Sequence, residues 1–263
     1  MNDETPRTIQ SVERACAILE KIHQDREVSL TDLAEDIDLS LGSLQTYMNT
    51  LCRCGFVVKE NRAYSLAPQF LIYGEQVRNT LPLYHVGRKV VDNMAHETGH
   101  NAHLITDHNG REVTLYQSFG EDSVGTDLYI WHQAKLEWQL HWSASGKAIL
   151  AHLPEKQVRS VISENGLQRR TPHTITDEET LFAELERIRE RGYALNDEEE
   201  ISGLRAVAAP IHDQQERLLG SVSLSAPKSE LPDDRFYDEL PNYVMNKANI
   251  IQVELQARDV DEE

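Results

Sequence analysis

Ser40-Leu41-Gly42-Ser43-Leu44-Gln45-Thr46-Tyr47-Met48-Asn49-Thr50-Leu51 places Leu44, Tyr47 and Leu51 at three- and four-residue steps, the period of one buried helix face. Ser40 stands at the N-cap, where its hydroxyl accepts from a free amide, and Gly55 stands where a helix ends in a residue of positive φ. Immediately upstream, Ser29 with Asp32 caps a shorter helix whose inner side is Leu30, Leu33, Ala34 and Ile37, before Asp38-Leu39 turns the chain. Further back, Ile9, Val12, Ala15, Ile18, Leu19 and Ile22 mark one face of a first helix. Three short helices with a tight turn between the second and third predict a helix-turn-helix. Downstream, Phe56-Val57-Val58, the polar tip Lys59 to Arg62 and Tyr64-Ser65-Leu66 read as a small β-hairpin, a wing.

In such a domain the third helix enters the major groove of double-stranded DNA, so Ser43, Gln45, Thr46 and Asn49 face base edges, with Ser40 and Gly42 beside them at the helix start. Phosphate contacts fall to Arg7, Arg14, Arg53, Lys59 and Arg62. From Leu39 to Val58 there is no Asp or Glu and a single base, Arg53. The alternative is a protein-binding winged helix, since residues 8–70 hold six bases against nine acids and have no basic footprint in bulk.

The whole chain has 263 residues, 44 acids and 26 bases, for a net charge of -18. That balance by itself argues against nucleic acid as a partner. However, only eight of the bases are lysines and 18 are arginines, and carboxylate excess with few lysines suits a salt-rich cytoplasm such as a haloarchaeon's. At 1 M salt the Debye length is about 3 Å, so self-repulsion is screened and the acidity is read first as adaptation to salt. The length suits about two domains. No apolar run approaches the roughly 18 residues of a membrane span, so no membrane association is expected. Met1 to Pro6 lacks the features of a signal peptide, and Cys16, Cys52 and Cys54 form no disulfide framework, so a reducing cytoplasm is expected.

Together these residues resemble the IclR family of transcriptional regulators over nearly the whole chain. Ser11-Val12-Glu13-Arg14-Ala15 with Ile18-Leu19 is similar to the family's first helix, and Leu30-Thr31-Asp32-Leu33-Ala34 to its second. Glu97-Thr98-Gly99 with His103-Leu104 resembles its E-T-G-x-x-x-H-L stretch, and His141 through Gly146-Lys147-Ala148 to Ala151 its H-x-x-x-x-G-K-A-x-L-A signature. Arg189 to Tyr193, Asp197-Glu198-Glu199 with Gly203, Ala208 to Ile211 and Ser223 to Pro227 follow in the family's order. One departure concerns the third helix, where members commonly carry Lys and a Thr-Val-His-Arg-like run and this chain has Leu41 to Thr46.

The resemblance implies an α+β organisation: a winged helix-turn-helix DNA-binding domain over residues 8–68, a linker helix over 69–82, and a GAF-like antiparallel sheet with helices over 83–258 for effector binding and oligomerisation. The residues agree with that alternation. Leu83 to Thr98 reads as a helix, His108-Asn109-Gly110 as a hairpin turn between two strands, and 203–211 with 218–226 as a second strand pair. Residues 146–152, 155–164, 177–191 and 243–257 read as helices. By residue-by-residue match, the family's effector pocket is implied at Ala144, Ser145, Asn196, Ala206, Ser223 and Ser225, with Ile130, Trp138 and Leu204 as an apolar wall. Amides at a helix start favour an anion, which suggests a carboxylate effector, and Ser223 and Ser225 share one side of a strand. The alternative is that these small residues only let a helix pack on the sheet. The resemblance also implies a homodimer or homotetramer on a palindromic operator, with the effector controlling a catabolic operon.

Other signals carry less. His96-Glu97-Thr98-Gly99-His100 spells the H-E-x-x-H of a zinc hydrolase, but that chemistry needs an unbroken helix through His100, and Gly99 is placed to end it. Cys52-Arg53-Cys54 lacks a second cysteine pair, Ser145-Gly146-Lys147 lacks the rest of a phosphate loop, and the acid run Asp197 to Glu200 reads as a solvated turn. No catalytic set, metal site or cofactor motif is expected.

Overall fold

The computed structural model describes residues 7–121, 123 and 139–261, which divide into two compact units, one up to Val77 and one from Arg78. The N-terminal unit begins with α1 (Gln10–Asp25), α2 (Leu30–Asp36) and α3 (Leu41–Arg53), followed by the hairpin β1 (Val57–Glu60) and β2 (Ala63–Leu66). Ile18, Ile22, Leu33, Leu44, Met48, Leu51, Val57 and Tyr64 form its core. Met48 takes the inner position assigned above to Tyr47, which is half-buried, because the buried stripe of α3 runs through Leu44, Met48 and Leu51. Both expected caps form. Ser29 and Asp32 make a reciprocal capping box, and Ser40 Oγ accepts from the Ser43 amide at 3.2 Å. Gly55 has φ 79°, as the turn out of α3 requires. The wing is longer and its tip shorter than expected: Lys59 and Glu60 pair with Tyr64 and Ala63, leaving Asn61-Arg62 as the turn. Backbone bonds between Val28 and Tyr64, of 3.0 and 2.8 Å, tie the entry of α2 to the wing.

Helix α4 (Gln69–Asn79) runs from the first unit into the second, which continues with α5 (Pro82–Thr98), β3 (Asn101–His108), β4 (Arg111–Ser118), α6 (Ala144–His152), α7 (Glu155–Asn165) and α8 (Glu178–Arg191). Strands β5 (Ala194–Asp197), β6 (Leu204–His212) and β7 (Leu218–Pro227), a π-helical turn at Arg235–Glu239 and α9 (Leu240–Asp261) complete it. The five strands form one antiparallel sheet in the order β4-β3-β7-β6-β5. Strand β5 was not read from the sequence, and α9, which includes the expected 243–257, starts straight after the π-helical turn.

The two faces of the sheet differ. Ala102, Leu104, Val207, Ala209, Ile211, Val222, Leu224 and Ala226 pack with α5 and α9 in an apolar layer. On the other face Ile105, Ala194, Ala206 and Ala208 pack with α6, α7 and α8, and the same face carries the polar side chains of Asn101, His103, Asn196, Ser221, Ser223 and Ser225. Gly146, in the first turn of α6, admits no side chain, since a Cβ there would lie 2.2 Å from the Leu140 carbonyl oxygen and 2.6 Å from its Cα. Gly146→Ala is expected to displace α6 and lower the stability of this unit by about 1–3 kcal/mol, measured as a reduced denaturation midpoint in molar KCl.

Candidate nucleic-acid interface and effector pocket

Burying Leu44, Met48 and Leu51 leaves Leu41, Gly42, Ser43, Thr46, Asn49 and Thr50 exposed on α3, with Gln45 partly exposed beside them. The structure therefore brings Ser40, Gly42, Ser43, Gln45, Thr46 and Asn49 together, with Arg53 exposed in the last turn and Lys59 and Arg62 exposed on the wing. Ser40 Oγ donates to Ser43 Oγ at 3.0 Å, Gln45 Nε2 to Asn49 Oδ1 at 2.8 Å, and Thr46 Oγ1 to the Gly42 carbonyl at 3.0 Å. Lys59 lies over the Tyr64 ring, 5.1 Å from its centroid. Leu41 and Thr50 escaped the sequence reading, although each lies three or four residues from a chosen position and so on the same face.

On the polar side of the sheet, register aligns Asn101, Ser225, Ala206 and Asn196 in one row across β3, β7, β6 and β5. The adjacent row holds Gln117, His103, Ser223 and Ala208. Helix α6 starts over these rows, so Ser145 Oγ donates to Ser223 Oγ at 2.8 Å and Ser221 Oγ to the Ser145 carbonyl at 3.3 Å. Ser145, Asn196, Ala206, Ser223 and Ser225 thus share one buried polar region, with Ala144 buried in the first turn of α6 and Leu204 partly buried at the start of β6. Ser225 is 4% exposed and its hydroxyl has no hydrogen-bond partner among the described residues. Ile130 and Trp138 lie outside the described residues.

Several residues of this region were missed. Asn101 and His103 alternate with Ala102 and Leu104 along β3, a two-residue period that could have flagged them. Burial pushes the His103 imidazole down to about 4, so it is neutral at pH 7. Glu112 enters from β4. It accepts from the Ser143 hydroxyl at 2.5 Å, while the same hydroxyl caps α6 by accepting from the Gly146 amide at 2.8 Å. Burial, reinforced by the Glu200 carboxylate, pushes the Glu112 carboxyl up to about 8.

The acid run is not the solvated turn expected of it. Asp197 binds Arg205 at 2.8 Å, Glu198 pairs with Lys228, Glu199 pairs with the buried Lys147 of α6, and Glu200 is raised by burial. Each partner is remote in sequence or lies on another element, so local charge density could not show it. Asn196 Oδ1 accepts from the Glu199 amide at 2.8 Å and holds the turn against the polar rows. Arg170 lies over the Trp142 ring, 4.7 Å from its centroid.

The zinc-hydrolase reading fails on backbone geometry. Helix α5 stops at Thr98, Gly99 has φ 75°, and His100 is buried at the entry to β3 while His96 is exposed on the helix. Among the described residues no trio of His, Cys, Asp or Glu is placed to hold a metal, and Cys16, Cys52 and Cys54 are free thiols.

Between its ordinary 4.5 and about 8, Glu112 keeps a proton in the folded chain that the unfolded chain has lost, so its contribution to stability falls as pH rises through that window. Glu112→Gln is expected to flatten this fall, seen as a smaller decline of melting temperature from pH 5 to pH 8 than in the unaltered chain.

Comparison with known proteins agrees with this geometry. Residues 11–61 match the IclR helix-turn-helix domain and residues 75–253 the bacterial transcriptional regulator IclR C-terminal domain. A probable HTH-type transcriptional regulator, ArcR of Halobacterium salinarum, is 39% identical over 256 residues, 97% of each chain. The crystal structure of Thermotoga maritima IclR superposes with a TM-score of 0.67 at 27% identity, covering 94% of this chain and 99% of that one. The inducer-binding domain of Acinetobacter PobR, solved with 3-hydroxybenzoic acid, shares the fold with a TM-score of 0.57 at 22% identity, covering 64% and 96%. A helix-turn-helix and a C-terminal effector-type domain, matched in order along nearly the full length, mean that this chain belongs to the IclR family of transcriptional regulators.

Proposed function

We propose that the chain is a cytoplasmic, effector-responsive regulator that binds a palindromic operator through residues 8–68, transmits through the linker at 69–82, in which the helix itself ends at Asn79, and senses a small metabolite through residues 83–258. The observation that carries the reading is the exposed face of α3, a hydrogen-bonding and acid-free surface in a chain of net charge -18. The DNA-contacting set is Ser40, Gly42, Ser43, Gln45, Thr46, Asn49, Arg53, Lys59 and Arg62. Genome-wide recovery of bound DNA from the native host, repeated with purified fragments in molar KCl, tests it: a palindromic site upstream of a catabolic operon supports the proposal, and no enrichment refutes it.

The effector is a carboxylate or a sugar-derived acid seated among Ala144, Ser145, Asn196, Leu204, Ala206, Ser223 and Ser225. The start of α6, the unpartnered Ser225 hydroxyl and a Glu112 that is uncharged at pH 7 all favour such a ligand. PobR's 3-hydroxybenzoic acid is a carboxylate on a domain of the same fold. A dimer or tetramer would cover Ile9, Val12, Leu71, Ile72 and Val77, which are exposed on or next to α1 and α4, and would match the symmetry of the operator. The effector acts only as far as its affinity differs between the operator-competent arrangement and the other. Among the described residues no helix is long and apolar enough to cross a membrane.

Gln45→Ala and Asn49→Ala are each expected to weaken operator binding roughly 5- to 150-fold in a gel-shift titration while leaving the melting temperature unchanged. Ser223→Ala combined with Ser225→Ala is expected to abolish the effector's shift of that titration and to leave effector-free DNA binding intact.

A further inference from the structure

The exposed face of α3 lacks the charged side chains that read a G·C pair specifically, and its Ser40 and Ser43 hydroxyls favour neither pair. In the major groove guanine offers two acceptors, met by Arg or Lys, and cytosine offers an N4 donor, met by Asp or Glu. From Leu41 to Cys52 there is no Arg, Lys, Asp or Glu, and the first cation, Arg53, sits in the last turn, away from the helix start that enters the groove.

What the face does offer suits A·T pairs. The 2.8 Å bond from Gln45 Nε2 to Asn49 Oδ1 joins the two amides, and the atoms it does not use are an acceptor, Gln45 Oε1, and a donor, Asn49 Nδ2. An acceptor next to a donor is the complement of adenine, which presents its N6 donor beside its N7 acceptor. The threonine hydroxyls are turned onto the helix backbone, Thr46 Oγ1 to the Gly42 carbonyl at 3.0 Å and Thr50 Oγ1 to the Thr46 carbonyl at 2.9 Å. Each exposed threonine therefore presents its methyl group, and Leu41, 53% exposed, adds a larger apolar surface at the first turn. The one apolar group on the base edges of the major groove is the thymine C5 methyl.

We infer that the half-site read by α3 has an A·T core, with adenine under the Gln45–Asn49 amide pair and thymine methyls against Leu41 and the methyl of Thr46. The inference rests on the DNA-binding reading above and adds the sequence class that this surface selects. Leu41 becomes a specificity-determining residue, although it has no polar atom in its side chain.

The test is selection of duplexes from a random pool by the full chain in molar KCl, followed by titration of the recovered site with single thymines replaced by uracil, which removes only the methyl. The expected result is A·T pairs at the centre of each half-site, and a loss of about fourfold per contacted methyl on uracil replacement. With Leu41→Ala, the thymine that Leu41 contacts should bind no better than uracil. The uracil measurement uses the unaltered protein, so it does not depend on how any variant folds. Half-sites centred on G·C pairs, or thymines that all tolerate uracil, would overturn the inference while leaving DNA binding standing. Failure to enrich any duplex would instead remove the DNA-binding reading and the inference with it.

Discussion

The C-terminal unit depends on the two-residue period of β7. Val222, Leu224 and Ala226 point into the apolar layer beneath α5 and α9, while Ser221, Ser223 and Ser225 point to the opposite face. Because β7 is the central strand, paired to β3 on one side and β6 on the other, its alternation sets which side chains of both neighbours share a row. A slip of one residue would place serines in the core and branched apolar side chains in the polar rows, so the core and the polar rows are specified by one register. The apolar face holds the sheet together and lets the other face afford hydroxyls and amides.

The N-terminal unit was legible because its determinants are local. The Ser29 and Ser40 caps and the positive-φ Gly55 act within a few residues and appear where the sequence placed them, whereas Ile9 and Val12, read as part of the buried face of α1, are 66% and 55% exposed and only Ile18 and Ile22 are fully buried there. Tyr47 and Met48 were exchanged because both are apolar neighbours near the edge of one stripe, and only packing against Ile18, Ile22 and Leu33 decides between them. The polar rows of the sheet were half legible. Ser223 and Ser225 followed from alternation, and Gly99 correctly announced the end of α5. Strand β5 and the burial of Glu199 and Glu200 were not readable, since β5 has four residues and exists by pairing with β6, and the partner of Glu199 is 52 residues away on α6.

Charge is distributed with the same division of labour. The net charge of -18 leaves the recognition helix without a carboxylate, and in the second unit several acids are committed to cations inside the fold. Arg205 is the clearest case: it pairs with Asp197 and Asp233, donates to the Leu231 carbonyl and lies over the Phe236 ring, joining β6, the end of β5 and the π-helical turn. Breaking such an enclosed pair would strand a charge, so the acid turn beside the polar rows is held from several sides.

The backbone bonds between Val28 and Tyr64 bear on how such a regulator changes its grip. They make the strand pair of the wing continuous with the segment that launches the helix-turn-helix, and both share one core with α3. Reading head and wing are consequently a single stiff tool whose two contact points on a duplex keep a constant spacing. A change of grip on a duplex therefore has no joint inside that tool to bend, and would have to come from how the whole unit is carried.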